Sequence, residues 1–176
     1  MKEIIRIATR NSPLAMVQAN IIKDALTQDP GVEDIKIISM STSGDTVSDQ
    51  VFKTEGGKGL FLKELEKSLL SKRTDIAVHS FKDVPAVLDK RFMVTSFQKR
   101  ERVNDIFISN TFESLQDIPP NGKIGTSSPR RISILKSLSN NYKIAEIRGN
   151  LQTRLKKLKD LELDGIILAS AGFSRM

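Results

Sequence analysis

Short apolar runs alternate with helical patterns along the chain, and this alternation restricts the fold more than any other feature. In the first half, strands are predicted over Ile4–Ala8, Ile35–Met40 and Asp75–His79. A helix is predicted from Pro13, with Ser12 as its cap, and Leu60–Leu70 has the spacing of an amphipathic helix. An open α/β sheet is the expected result.

The same alternation restarts after a charged segment at residues 98–102. Strands are predicted over Asp105–Ser109, Lys123–Gly125, Lys143–Ile147 and Gly165–Ala169, and helices near Ser128 and Asn150. We therefore predict two α/β domains, residues 1–98 and 99–176. A polar, glycine-containing stretch at about residues 42–58 is predicted to be a loop that acts as a lid.

Composition excludes several classes of protein. The 176 residues contain no cysteine, which excludes disulfides, cysteine metal ligands and a cysteine nucleophile. No His or acidic cluster has metal-ligand spacing, so no metal is expected. The sequence shows neither a membrane-spanning run nor a signal peptide, which predicts a cytoplasmic protein without membrane partners. The net charge of +7 favours anionic partners.

Arginines stand where strands are predicted to turn into helices: Arg10, Arg130, Arg131, Arg148 and Arg154. A helix N-terminus already carries a partial positive charge, so cations there are unfavourable unless an anion binds between them. Backbone N–H groups, small hydroxyls and guanidinium forks together form an anion site. This pattern predicts a small ligand with several carboxylates or phosphates.

A polar cluster follows the third predicted strand, within Val78–Pro85. Asp83 beside Lys82 is a carboxylate among cations, which is suited to stabilising a developing positive charge or passing a proton. His79 is the only histidine. A single histidine at the end of an apolar strand is more often packed and hydrogen-bonded than catalytic, and the structural interpretation is preferred for it.

Six segments, in order along the chain, resemble the N-terminal part of the porphobilinogen deaminase (hydroxymethylbilane synthase) family: Arg10–Ala15, Gly57–Glu66, Val78–Pro85, Gly125–Arg131, Ile147–Leu155 and Leu168–Gly172. The resemblance implies a transferase of tetrapyrrole (haem) biosynthesis. Four porphobilinogen molecules are joined head to tail with loss of ammonia, and hydroxymethylbilane is released. The pyrrole chain grows on a dipyrromethane cofactor, and the acetates and propionates of the pyrroles make the product a polyanion.

The resemblance also implies roles for individual residues. Asp83 matches the catalytic carboxylate, which contacts pyrrole N–H groups and stabilises the cation formed as ammonia leaves. The implied cofactor-binding residues are Ser80, Lys82, Asp83, Thr126, Ser127, Ser128, Arg130, Arg131, Arg148, Asn150 and Arg154. The implied substrate-binding residues are Arg10, Ser12, Phe61, Arg148 and Arg154.

The implied fold is that of type II periplasmic binding proteins, with two open α/β domains around a cleft and a third, smaller domain. The family attaches its cofactor through a thioether to a cysteine of that third domain, and this chain has no cysteine. The second domain is therefore expected to be incomplete and the third absent. The chain alone is expected to be inactive and to self-associate through unpaired strand edges, whereas the full-length protein is expected to be monomeric.

Two other interpretations remain open at this stage. A basic chain can bind nucleic acid, but this one has one Tyr and no Trp for stacking. The other is a non-enzymatic organic-anion binding module of the periplasmic-binding-protein type. Asp83 distinguishes this binding module from an enzyme and favours the enzyme, because a pure anion binder gains nothing from a carboxylate among its cations.

Overall fold

The computed structural model describes residues 3–42, 62–139 and 141–176, and for Glu3 only the backbone. They form two compact units, Met1–Phe97 and Gln98–Met176. In each unit an open sheet is flanked by helices, which confirms the predicted α/β class. The assignment of these units as the two domains divided at residue 98 stays a prediction.

The first unit contains a three-stranded parallel sheet in the order β2-β1-β3 among its described residues. Its elements are β1 (Glu3–Arg10), α1 (Pro13–Leu26), β2 (Val32–Met40), α2 (Lys63–Leu70), β3 (Ile76–Ala77) and a 3-10 turn (Phe81–Asp83). Ile7, Ala19 and Ile35 are buried together between β1, α1 and β2, which fixes the helix on the sheet.

The second unit contains a mixed sheet in the order β4-β7-β5-β6, in which only β4 is antiparallel to its neighbour among the described strands. Its elements are β4 (Asp105–Ile108), a 3-10 turn (Leu115–Asp117), β5 (Lys123–Gly125), α3 (Pro129–Leu138), β6 (Lys143–Ala145), α4 (Leu151–Asp160), β7 (Gly165–Ala169) and α5 (Ser170–Ser174).

Strand β7 shows why this sheet is covered on both faces. Successive side chains of a strand point to opposite faces. Ile166 and Leu168 pack in one core cluster with Leu158 of α4, and Ile167 packs in another with Leu135 of α3. A strand that is covered on both faces needs a continuous apolar run, and this run made β7 predictable from the sequence.

The predicted strand Asp75–His79 is wrong in its length, because only Ile76–Ala77 pair as a strand. Asp75 is instead an ion-pair partner: its carboxylate accepts hydrogen bonds from the backbone N and the Nε of Arg6, at 2.8 and 2.9 Å. Val78 still donates to the carbonyl of Ala8 at 2.9 Å, so the chain follows β1 for one residue beyond the strand.

Candidate functional site

The carboxyl ends of β5, β6 and β7 lie at one edge of the second sheet, because these strands are parallel. The antiparallel β4 begins at this edge, with Asp105 opposite Ala169 at the end of β7. Ligands of open α/β sheets bind at such an edge, where strands turn into helices. The predicted site residues of this unit follow β5 and β6.

Three small hydroxyl residues form the turn from β5 into α3. The backbone N of buried Thr126 donates to the carbonyl of Ala145, and Thr126 Oγ1 accepts from the N of Ser128. Ser127 Oγ donates to the carbonyl of Ile147 at 2.6 Å. Ser128 occupies the N-cap position, but its side chain makes no capping hydrogen bond. Thr126 and Ser127 thus shape the turn, and their ligand-binding roles stay predictions.

Arg130 and Arg131, in the first turn of α3, share one carboxylate. Arg131 donates from Nε and Nη2 to Asp105 Oδ1 at 3.1 and 2.8 Å, and from Nη1 to the carbonyl of Ile167 at 3.1 Å. Arg130 Nη2 lies 2.7 Å from Asp105 Oδ2. The two neighbouring cations are therefore held by a single acidic side chain.

The ionisation of Asp105 reflects these two partners. Burial opposes its charge, but hydrogen bonds from Arg131 and Arg130 outweigh burial and lower the pKa of Asp105 below its ordinary value. Asp105 is accordingly a carboxylate at neutral pH.

Arg148 lies in the turn after β6, two residues beyond Glu146. Its Nε and Nη2 donate to Glu146 Oε1 at 3.0 and 2.7 Å. Gly149 follows with a φ of +113°, a conformation that side-chain-bearing residues rarely adopt. The glycine of this motif is thus explained by the sharp turn that leads from Arg148 into α4.

The start of α4 positions the last predicted arginine. Asn150 caps the helix, and its Oδ1 accepts from the N and the Oγ1 of Thr153 at 2.8 and 2.9 Å. Arg154 Nε donates back to the carbonyl of Gly149 at 2.8 Å. Cap, turn and arginine therefore form one local unit.

Arg154 is a partly buried cation next to other cations. Burial, and then repulsion by Arg131 and Arg148, lowers the pKa of Arg154 from its ordinary value. Arg131 and Arg148 thus lie close enough to Arg154 to repel it, and we call these three arginines the guanidinium cluster. An anion bound among them would relieve this repulsion, so the cluster can bind carboxylates or phosphates.

In the first unit, the predicted substrate-binding residues Arg10 and Ser12 lie at the end of β1 and the start of α1. Arg10 pairs in register with Met40 at the end of β2. Ser12 caps α1, as predicted, with Oγ accepting from the N of Ala15 at 3.4 Å. Capping explains Ser12 without a ligand, and binding by either residue stays a prediction.

The predicted catalytic segment follows β3. Ser80 Oγ donates to Gln18 Oε1 at 2.9 Å, and the N of Asp83 donates to the carbonyl of Ser80 at 2.9 Å. The 3-10 turn leaves Asp83 half-buried and Lys82 exposed. His79 Nδ1 lies 3.1 Å from the carbonyl of Ser80. The turn holds Asp83 in place, but its catalytic role stays a prediction.

Two predictions concern residues outside the described part of the chain. Phe61, the predicted aromatic substrate contact, is one of them. The predicted lid at about residues 42–58 also lies outside it, apart from Thr42, which is buried.

The sequence reasoning missed the acidic partners of the arginines, Asp105 and Glu146. Glu146 stands two residues before Arg148, and this short spacing is a signal from which their ion pair could have been predicted. Asp105 is about 25 positions from its partners, and only the order of the strands brings it to them. Within the described residues, no group of three or more His or acidic side chains is arranged to hold a metal ion.

The fold and this edge define an α/β protein with a cluster of guanidinium groups at the carboxyl ends of its strands. Comparison with known families gives a match over residues 5–176 to porphobilinogen deaminase, dipyromethane cofactor binding domain. The chain therefore belongs to the porphobilinogen deaminase family.

Individual relatives give the same result. Porphobilinogen deaminase of Ruthia magnifica subsp. Calyptogena magnifica is 46% identical over 176 residues, which is 100% of this chain and 58% of the relative. That of Legionella pneumophila (strain Philadelphia 1) is 48% identical over 174 residues, 99% of this chain and 56% of the relative. The chain thus spans somewhat more than half the length of the curated relatives it matches.

Solved structures also resemble this chain in part. An ancestral arginine-binding protein bound to arginine aligns with a TM-score of 0.43 and 15% identity, over 99% of this chain and 73% of that protein. The periplasmic domain of BvgS from B. pertussis aligns with a TM-score of 0.45 and 15% identity, over 97% of this chain and 31% of that protein. In the described part of this chain, no helix has the length and apolar character to cross a lipid bilayer.

Proposed function

We propose that this chain supplies the residues of a porphobilinogen deaminase that bind dipyrromethane and porphobilinogen during the synthesis of hydroxymethylbilane. The observation that carries the proposal is the guanidinium cluster, in which Arg154 is partly buried and repelled by Arg131 and Arg148. A cation in that position is unfavourable in the free chain and favourable once carboxylates bind. Each porphobilinogen brings an acetate and a propionate, which are suitable anions.

The edge of the second unit fits the carboxylate side chains of a dipyrromethane. Arg130, Arg131, Arg148 and Arg154 would hold them, because guanidinium forks bind carboxylates bidentately. When bound, dipyrromethane supplies the pyrrole carbon to which the first porphobilinogen is joined. Its thioether requires a thiol, and none of these 176 residues is a cysteine. Binding by this chain alone is therefore expected to be non-covalent.

Asp83 is proposed as the catalytic carboxylate. In each condensation a carbon–carbon bond forms at the methylene carbon of porphobilinogen, ammonia leaves that carbon, and a proton is lost from the pyrrole carbon attacked. A fixed negative charge stabilises the cation formed as ammonia departs. The hydrogen bond from the N of Asp83 to the carbonyl of Ser80 holds this residue in the turn after β3.

The remaining parts of the proposal concern binding. Arg10, Ser12 and Phe61 are proposed substrate contacts, and Ser80, Lys82, Thr126, Ser127, Ser128 and Asn150 are proposed cofactor contacts. We also propose a cytoplasmic location, a monomeric full-length protein and self-association of the chain alone. Nucleic acid is not a proposed partner, and a steep loss of DNA binding with rising salt would contradict this part.

The test is calorimetric titration of the 176-residue chain with porphobilinogen at several salt concentrations. We expect weak binding that weakens further as salt rises, and we expect Arg154→Met to abolish most of it. Ammonia release is measured in parallel and should not be sustained. Failure of the unsubstituted chain to bind, or binding that is unaffected by Arg154→Met, would contradict the proposed site.

A further inference from the structure

Asp105 occupies a position that none of the predicted roles explains. It is the first residue of β4, the outermost strand. Because β4 is antiparallel to β7, Asp105 lies where the parallel strands of the sheet end. Its side chain is 19% exposed. A carboxylate at the edge of an anion site opposes anion binding by its own charge, so its presence calls for a separate reason.

The hydrogen bonds of Asp105 divide its two arginines into a fixed one and an exposed one. Arg131 is 11% exposed and is held through Nε, Nη1 and Nη2, by Asp105 and the carbonyl of Ile167. Arg130 is 60% exposed and meets Asp105 through the ion pair from Nη2. Arg131 is consequently the guanidinium whose orientation Asp105 determines.

The surroundings of Arg131 make this orientation depend on Asp105. Its side chain lines a groove of about 200 Å³ together with Ile106, Ile134 and Leu138. These side chains are apolar and offer no hydrogen-bond acceptor that could replace the carboxylate. A guanidinium has five N–H groups, and the three bonds of Arg131 leave two for another acceptor.

We propose that Asp105 is a positioning residue for carboxylate recognition, one that fixes the guanidinium of Arg131 so that its two remaining N–H groups can bind a ligand carboxylate. The inference rests on the proposed function, in which the guanidinium cluster binds porphobilinogen. Asp105 does not touch the ligand and acts through Arg131.

The proposal predicts an effect opposite in sign to simple electrostatics. Removing a negative charge from the edge of an anion site should tighten anion binding through Coulomb attraction alone. Loss of positioning should weaken binding, because a mobile guanidinium must be ordered when the ligand binds. A role confined to folding would leave affinity unchanged in the folded variant.

The experiment compares Asp105→Asn with Asp89→Asn in the 176-residue chain. Asp89 also forms a bidentate pair with an arginine, Arg91, at 3.0 and 2.8 Å, and neither residue has a proposed binding role, so the control removes the same charge and the same kind of pair. Porphobilinogen is titrated into each protein. We expect Asp105→Asn to bind about tenfold more weakly, the scale of one charge-assisted hydrogen bond, and Asp89→Asn to bind like the unsubstituted chain.

A second readout reports on Arg131 without any ligand. In ¹⁵N NMR, the Nε–H of Arg131 should be ordered and slow to exchange in the unsubstituted chain, and mobile in Asp105→Asn. Asp105→Glu retains the charge and should restore part of both the order and the affinity.

The outcomes separate this inference from the proposed function. Unchanged or tighter porphobilinogen binding by folded Asp105→Asn would overturn the inference. So would an Arg131 Nε–H that stays ordered in that variant, whatever the binding result. If the unsubstituted chain does not bind porphobilinogen, the proposed function is contradicted, and the NMR comparison still decides whether Asp105 fixes Arg131.

Discussion

Gly149→Ala tests the turn that connects Arg148 to the cap of α4. The φ of Gly149 is +113°, and a Cβ at this position would lie 2.6 Å from Cγ2 and 2.8 Å from Cβ of Thr153. Real Cβ atoms do not approach other atoms so closely, so the turn must change shape. Thr153 cannot simply move away, because Asn150 holds its N and its Oγ1.

The expected loss of stability follows from these two effects. A residue with a side chain in a sparsely populated backbone region costs about 1–3 kcal/mol, and overpacking costs about 1–3 kcal/mol more. Alanine has less conformational entropy than glycine in the unfolded chain, and this offsets about 0.4–1 kcal/mol of the lost stability. We therefore expect the free energy of unfolding of the second unit to fall by about 1–5.5 kcal/mol.

The same substitution should affect ligand binding, because the carbonyl of Gly149 accepts the Nε of Arg154 at 2.8 Å. A displaced turn moves this carbonyl and with it the guanidinium. At temperatures where the variant is folded, we expect porphobilinogen affinity to fall by about tenfold, the scale of one hydrogen bond to a charged group.

Urea unfolding followed by circular dichroism measures stability, and calorimetry measures binding. Gly31→Ala is the matched control, since Gly31 has no positive φ and its Cβ would meet only the side-chain oxygen of Asp29, at 3.1 Å. The control should change stability by less than about 1 kcal/mol. If Gly149→Ala and Gly31→Ala unfold at the same urea concentration, the strain assigned to this turn is refuted.

Three further predictions concern individual charges. In a full-length protein, Asp83→Asn should keep the fold but lower turnover by about 10²–10³, because the proposed negative charge beside the cation formed as ammonia leaves is lost. Near-normal turnover would reject the proposed catalytic role. Arg154→Met should raise the urea midpoint of the free chain, because the cation that this substitution removes is disfavoured by burial and by repulsion from Arg131 and Arg148. A lower midpoint would contradict this. The pKa of Asp105 is lowered in the folded chain, so its stabilising contribution is present above the unfolded pKa of about 3.9 and is lost as pH falls through the lower folded pKa. Urea midpoints measured between pH 5 and pH 2 should therefore fall less steeply in Asp105→Asn than in the unsubstituted chain, and parallel curves would refute this linkage.

Elements fixed by local signals were predictable from the sequence. The strands Lys123–Gly125 and Gly165–Ala169 have the predicted bounds, because each lies between turn residues and the second is a short apolar run. The capping of α1 by Ser12, ahead of Pro13, was predictable for the same reason. These signals depend on a few neighbouring residues and on known preferences of helix and strand ends.

Features fixed by distant partners were not predictable in this way. The run Asp75–His79 has the composition of a buried strand, but Asp75 is paired with Arg6, which lies 69 positions earlier. The positions of the arginines could be predicted from the helix starts, whereas their acceptors could not. Asp105 reaches Arg131 only because β4 lies antiparallel at the edge of the sheet.

The balance of charge at the edge of the second unit connects the fold to its proposed ligand. One set of charged side chains at this edge comprises four arginines and two carboxylates, and three of the arginines form ion pairs: Arg130 and Arg131 share Asp105, and Arg148 pairs with Glu146. Among the described residues, Arg154 has no ion pair and donates instead to a backbone carbonyl. Two positive charges are thus left over in this set, and one porphobilinogen carries two carboxylates. A ligand with a single carboxylate would leave one of these charges without a counter-ion in a partly buried site. We therefore expect the edge to prefer a dicarboxylate over a monocarboxylate of the same size, and this preference should disappear in Arg154→Met.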